Sequence, residues 1–328
     1  MANVLETNYS GSEGSHVRPE TIIHINCLLN APFIFISITG NLLVLVAILR
    51  TPSLRSPSIT FLCSLAVSDF LVGIVVQPLY VATELIENSS LKKAMDTMAF
   101  TLCGVSLLTM TTISVDRFLA LHYHMRYPNL MTEHRAMRTS AMLWFVSLLL
   151  GCLTVWNMKV YYFSVLIIIA ICVLVSTICY IQIYGIVKQH QLQIHFQQQA
   201  VKTATTGHYQ IRNNQIGNNQ IKNNQIGNIP TGNIQIGKTL KVQRSAKSAK
   251  NTFIYYVVMI LCYTPVFISM SILAVSSNLW TSAWRLAETA ALMNSSINPF
   301  LYCWRLRELR KALLNTARQV LCKRTEEM

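Results

Sequence analysis

Asp69 is a carboxylate in a place where carboxylates are rare. The stretch around it, Pro57 to Thr83, contains no other charged residue. In a hydrocarbon setting such a group costs about 2.5–3.5 kcal/mol on insertion scales, so it implies a bound cation, a proton or a polar cavity. Asn41, Ser106, Asn294 and Asn298 lie in other apolar stretches and are the polar residues available to share that cavity. A carboxylate, a hydroxyl and amide carbonyls are hard oxygen donors, which suit Na⁺ better than a transition metal. Two readings stay open from these residues: a sodium site, or a protonated Asp69 held by hydrogen bonds between packed helices. Pro265 and Pro299 interrupt two further apolar stretches, and each removes an internal hydrogen bond. Kinked helices beside a buried polar cluster describe a bundle that can rearrange. No nucleophile–base constellation and no closed metal set accompanies them, so neither an enzyme nor an organic cofactor is expected.

Seven long, almost uncharged stretches must position these residues. They run from Ile22 to Leu49, Pro57 to Thr83, Ala94 to Val115, Thr139 to Trp156, Val160 to Val187, Thr252 to Val275 and Leu286 to Trp304. Their lengths are near or above the roughly 20 residues that cross a hydrocarbon core as a helix. They mostly lack the polar stripe of a helix in a water-exposed bundle. Composition agrees: of 328 residues 52% are hydrophobic and 12% charged, against about 25% charged in an ordinary soluble domain. The mean hydropathy of +0.40 excludes disorder as the dominant state. The expected fold is an all-α membrane protein, a seven-transmembrane helix bundle followed by a short amphipathic eighth helix.

The net charge of +14 could suggest a nucleic-acid binder, but its distribution argues for topology instead. With the N-terminus outside, only Arg18, Lys92, Lys93, Lys159 and Arg285 fall on the outer side, and the other 22 of 27 basic residues fall inside. Such an excess is what orients a membrane protein. A multi-pass plasma-membrane protein with an extracellular N-terminus is expected, with anionic lipid as a partner of its basic side and no nucleic acid. The chain then divides into an outer tail (1–21), spans one to five (22–187), an inner loop (188–250), spans six and seven (251–304) and an inner tail (305–328).

Asn8 and Asn88 open glycosylation sequons on the proposed outside. A third sequon, at Asn294, lies within a span and should stay unmodified. None of the nine cysteines sits in an outer loop, so no extracellular disulfide framework is expected. The inner loop carries Asn-Asn-Gln-Ile at 213, 218 and 223, too short a repeat for a packed core, and is expected to be disordered between basic flanks. After the last span, Leu306, Leu309 and Leu313 alternate with Arg305, Arg307, Arg310 and Lys311 at helical spacing, the pattern of a helix lying on the inner surface. Cys322, at its end, is a candidate for palmitoylation.

Six short motifs occur in order, one per span or span end. They are Asn41 in Gly-Asn-Leu-Leu-Val, Asp69 in Leu-Ala-Val-Ser-Asp, Asp116-Arg117-Phe118, Trp144, Cys262-Tyr263-Thr264-Pro265, and Asn298-Pro299-Phe300-Leu301-Tyr302. With them the chain, from about 25 to 322 without the inner loop, resembles a rhodopsin-like (class A) G-protein-coupled receptor. The melanocortin and adenosine receptors are nearest in pattern. The resemblance implies that Arg117 pairs with Asp116 at rest and faces a heterotrimeric G protein when the sixth span swings out. It makes Tyr180, Tyr263, Pro265, Pro299 and Tyr302 further members of the switch. It places Asp69, Ser106, Asn294 and Asn298 on an allosteric sodium site. The implied partners are an extracellular ligand, a G protein and arrestin.

Several positions depart from the family pattern. Lys92 stands where the family keeps a disulfide cysteine, Cys172 replaces the fifth-span proline, and Tyr263 replaces a tryptophan. Ser245 stands where an acidic partner for Arg117 is usual, and one restraint fewer on Arg117 implies raised basal signalling. Ala99 holds the place of the amine-binding aspartate of monoamine receptors, so a monoamine bound in that mode is not expected. Leu292 likewise replaces the lysine that binds retinal. Candidate pocket residues are Asp96, Phe100, Phe267, Arg285 and Glu288. Glu288 is either the counter-ion of a cationic ligand group or the helical partner of Arg285 three residues earlier. The alternatives are a non-signalling or constitutively active degenerate receptor and a seven-helix transporter, the latter disfavoured because the two halves show no internal repeat.

Overall fold

The computed structural model describes residues 20–54, 56–86, 88–123, 125–156, 158–215, 253–272, 281–305, 309–311, 313 and 314. Asn8, Ser245 and Cys322 lie outside them. Every long element is a helix. The first span is Glu20–Arg50, the second Pro57–Leu85, the third Ser89–His122, the fourth Glu133–Trp156, the fifth Met158–Gln215, the sixth Phe253–Ile272 and the seventh Thr281–Arg305. Six of these are apolar and long enough to cross a membrane. The seventh is the least apolar, because Arg285, Glu288, Asn294 and Asn298 all sit on it.

The bundle is inverted relative to a protein in water. Asn26, Asn30, Asn41, Asp69, Gln77, Asn294 and Asn298 are fully buried, whereas Leu28, Leu49, Ile181 and Leu261 are each more than three-fifths exposed. An outer surface of leucine and isoleucine is stable only against hydrocarbon, and the polar groups turn inward because lipid offers them no partner.

Small residues set the close approaches. A Cβ on Gly40 would lie 2.8 Å from the Pro299 ring, so the first span can meet the seventh only through a glycine. On the fourth span, a Cβ on Gly151 would collide with the Thr101 hydroxyl, while Ser147 donates to the Thr101 carbonyl at 2.9 Å. Trp144 donates its indole N–H to Ser64 at 3.1 Å, tying the fourth span to the second. Backbone proximity and side-chain hydrogen bonds take the place of a hydrophobic driving force between helices in lipid.

The second span carries a π-helical turn, Val72–Val76, directly after Asp69. Pro78 explains it: the ring has no N–H to donate and would clash with the carbonyl one turn earlier, so the helix widens there. The hydroxyl of Ser37 donates to the Asp69 carbonyl at 2.9 Å beside this turn. At its start, the third span is capped by the Asn88 side chain, which accepts from the N–H groups of Ser90 and Leu91 at 2.9 and 3.1 Å.

The structure corrects one boundary. The fifth helix does not end at 187 but continues to Gln215, so the first part of the inner loop is helical rather than disordered. From Lys188 to Thr206 the chain has no glycine or proline and is rich in Gln, a good helix former. Polarity there marks departure from the membrane, not the end of the helix. Beyond the seventh span, residues 309–311, 313 and 314 are helical, with Leu309 and Leu313 buried and Arg310 and Lys311 exposed, as an amphipathic eighth helix requires.

The Gly40 contact gives a direct test. Gly40→Ala is expected to lower thermal stability by about 1–3 kcal/mol, the range for overpacking a filled site. Gly185→Ala, where nothing lies within 4 Å of an added Cβ, is expected to be neutral or to stabilise by up to about 1 kcal/mol. Melting of the two purified variants beside the parent chain measures both.

Candidate functional site

The Asp69 carboxylate lies where the second, third and seventh spans meet. Its Oδ1 accepts from Ser106 at 3.0 Å and its Oδ2 from the Asn298 amide at 2.7 Å. Ser68 extends the network to Ser106 at 3.0 Å. Asn41 donates to the carbonyls of Ser37 and Ser295, at 2.9 and 3.0 Å, and so clamps the first span to the seventh beside the carboxylate. Asn294 turns its amide toward the Met110 sulfur at 3.9 Å. The carbonyl oxygens of Asn294 and Asn298 are buried and accept no hydrogen bond. A buried acceptor without a partner costs about 1–3 kcal/mol, which coordination of a cation would remove. The donor set thus fits a hard monovalent cation.

A cavity of about 80 Å³ opens farther along the same helices. Phe100 and Ala99 of the third span, Tyr161 of the fifth, Tyr263 of the sixth, and Trp284 and Glu288 of the seventh line it. Phe100 packs on Tyr161 with ring centroids 4.7 Å apart and on Trp284 at 6.5 Å. Tyr263 reaches across to donate to the Cys103 carbonyl at 3.0 Å. Tyr80, also in the cavity lining, accepts from Asn26 and Thr289 at 3.4 and 3.3 Å and donates to the Arg285 carbonyl at 3.0 Å. Spans one, two and seven are joined there by this single phenol.

At the opposite end, the third span presents Asp116 and Arg117. Their side chains approach to 3.4 Å, and the carboxylate also accepts from Ser58 at 2.7 Å and from Tyr127 at 2.6 Å. Nearby, Ser114 donates to Tyr180 at 3.3 Å, and Tyr180 packs on Tyr256 at 4.9 Å. Tyr302 stacks on Tyr255 at 6.0 Å. Tyr180 and Tyr302 are therefore each seated against an aromatic of the sixth span.

Residues 40–161 and 152–302 match the family described as 7 transmembrane receptor (rhodopsin family). The chain belongs to that family. Among similar proteins, the alpha-1D adrenergic receptor of Sus scrofa is 25% identical over 329 residues, covering 88% of this chain and 55% of that protein. Melanocortin receptor 4 of Danio rerio is 35% identical over 119 residues, 33% of this chain and 36% of that one. The histamine H2 receptor of Canis lupus familiaris is 31% identical over 163 residues, 47% and 44% of the two chains. The receptor thus spans 55% of the adrenergic relative and less of the other two.

Of the expected sodium-site residues, Asp69, Ser106 and Asn298 are in direct contact, whereas the Asn294 amide turns to Met110 and its carbonyl oxygen accepts no hydrogen bond. Asp116 and Arg117 pair as expected. The pocket expectations divide. Phe100 and Glu288 line the cavity, whereas Asp96, Phe267 and Arg285 do not. Arg285 does not pair with Glu288: its guanidinium bonds Glu84 of the second span at 3.1 Å, with both side chains largely buried. Asp96 is buried one turn after Lys92, with one carboxylate oxygen that accepts no hydrogen bond. Sequence reasoning missed Ser58 and Tyr127 as partners of Asp116, and Tyr161 and Trp284 as cavity walls. The run Arg126-Tyr127-Pro128 was the available signal for Tyr127, a phenol on a short helix, Tyr127–Leu130, that folds back beneath the third span.

Tyr127 gives a pH signature. Burial and its hydrogen bond to Asp116 push the phenol up to about 12. The folded protein holds that proton more tightly than the unfolded chain, whose phenol titrates near about 10. The contact therefore contributes fully below about pH 10 and is lost as pH rises toward about 12. Tyr127→Phe is expected to melt at lower temperature than the parent at neutral pH, with the two curves converging in alkali. Melting temperature against pH for both proteins checks this.

Proposed function

We propose that the receptor binds an extracellular ligand in the Glu288 cavity and relays its presence to a heterotrimeric G protein at the Arg117 end. The observation that carries this reading is the third span. One helix lines the cavity with Ala99, Phe100 and Cys103, supports the Asp69 centre with Ser106, and ends in the Asp116–Arg117 pair. A ligand that binds one arrangement of the helices better than another shifts the population toward it, and by no more than that difference in affinity. Tyr263 is placed to feel the ligand, since it both lines the cavity and bonds the third span. Pro265 lies on the helix that carries Tyr255 and Tyr256, so its movement would unseat Tyr302 and Tyr180 together. Release of Arg117 from Asp116 then presents a guanidinium to the G protein.

On this reading the N-terminus is extracellular and the basic side faces anionic lipid of the plasma membrane. Asn88 remains compatible with glycosylation, because the cap uses its carbonyl oxygen and a glycan is attached through nitrogen. Asp69, Ser106, Asn294 and Asn298 would hold a sodium ion, whose positive charge would tie the second, third and seventh spans into the resting packing. The relatives include adrenergic, histamine and melanocortin receptors, so kinship alone leaves the ligand class open.

Two measurements test the reading. Cells expressing the receptor without added ligand are expected to give G-protein sensor output above mock-transfected cells, and Arg117→Ala, expressed at equal surface level, is expected to abolish it. Equal output from the two would refute G-protein coupling through Arg117. Separately, the purified receptor is expected to melt higher in sodium chloride than in potassium chloride at matched ionic strength. Asp69→Asn should remove that difference.

A further inference from the structure

Glu288 is a carboxylate in an apolar cavity whose electrostatic needs the protein does not meet. Among the described residues, no Lys, Arg or His nitrogen lies within 4 Å of it. The nearest candidate on its own helix, Arg285, is taken by Glu84 at 3.1 Å. The indole of Trp284 reaches the carboxylate, and the charge of Lys92 acts on it only at longer range. Part of the cavity lining is aromatic. Phe100, Tyr161 and Trp284 form a continuous wall from the third, fifth and seventh spans. Tyr161 is 1% exposed, and its hydroxyl oxygen is buried without a hydrogen-bond partner.

A desolvated carboxylate seeks a cation, aromatic faces attract one through their quadrupoles, and an unpartnered phenol awaits a polar group. The geometry points to a site for a small organic ammonium, held by Glu288 from the seventh span and enclosed by Phe100, Tyr161 and Trp284. This rests on the receptor reading above and names its ligand class. The third span lines the cavity with uncharged residues, Met95, Ala99, Phe100, Cys103 and Leu107 among them, so it supplies shape and not charge. The volume of about 80 Å³ is near half that of a cavity that takes benzene. It suits an ammonium head and a short stem, not the bulk of a peptide. The carboxylates of Asp96 and Glu84 add their negative charge to that of Glu288, and Lys92 opposes them only at a distance.

The test uses the full chain in lipid nanodiscs, with ethylamine as probe and ethanol as its uncharged counterpart. The amine is expected to raise the melting temperature in a saturable way and the alcohol to leave it unchanged. Glu288→Gln is expected to weaken the apparent affinity for the amine at least ~10-fold, as loss of a charge-assisted contact does, and Glu288→Asp to retain part of it. If Glu288→Gln fails to fold, Ala99→Leu fills the cavity without touching the carboxylate and is expected to block the amine equally. Equal shifts by amine and alcohol, no shift of the parent protein by the amine, or an unchanged affinity in both Glu288→Gln and Ala99→Leu would overturn the assignment. G-protein sensor output in the same cells keeps the two readings apart. Arg117-dependent output without amine binding removes the ammonium site alone. Amine binding through Glu288 without any Arg117-dependent output removes the signalling reading and leaves the site.

Discussion

A carboxylate cannot be left bare in hydrocarbon, and much of this bundle is organised around that constraint. Asp69 draws a hydroxyl from the third span and an amide from the seventh. The same region fixes the first span, because Asn41 bonds the Ser295 carbonyl one turn before Asn298. Four helices are thereby registered against one another at a single depth. In lipid, where apolar burial between helices gives no net drive, such polar contacts and close glycine approaches decide the packing. The π-helical turn after Asp69 belongs to the same arrangement: it lets Ser37 reach the Asp69 carbonyl while the helix carries on to Tyr80 and Glu84.

The three polar groupings differ in how their charges are met, and that difference assigns their roles. Asp116 is saturated by Arg117, Ser58 and Tyr127. Such a saturated pair is stable yet breakable, since each partner belongs to a different element. Asp69 is met by neutral donors only, with two carbonyl oxygens left over, which is the condition for taking up a cation. Glu288 has aromatic rings for neighbours and is the group most dependent on something from outside. Along the third span these sites are stacked in order, so a displacement of that helix or of the seventh touches more than one of them.

What was legible in the sequence follows from what is rare. Asp69 stands out because charge inside a long apolar run is improbable, and Arg117 because it sits in a motif at a span end. Ser58 and Tyr127 were silent, since a serine and a tyrosine near helix ends are commonplace and only folding brings them to Asp116. The Arg285–Glu84 pair joins residues 201 positions apart, and the local alternative, Glu288 at three residues, looked equally good on a helical wheel. Tyr161 and Trp284 were hidden for the opposite reason: an aromatic in an apolar span reads as packing until its neighbours are known. The end of the fifth helix was misplaced because hydropathy reports where the membrane ends, whereas the helix continues through the polar, glutamine-rich run beyond it.

That fifth helix has a mechanical consequence. At 58 residues it is about 87 Å long at 1.5 Å per residue, while the hydrocarbon core is only about 30 Å thick. Its Tyr161 end forms a wall of the cavity and its far end stands well clear of the bilayer. A rigid rod pivoting at the cavity moves its tip in proportion to its length, so a tilt of about 1° displaces the end near Gln215 by roughly 1.5 Å. The helix is a pointer: rearrangements too small to repack the core become ångström-scale motion at a distance.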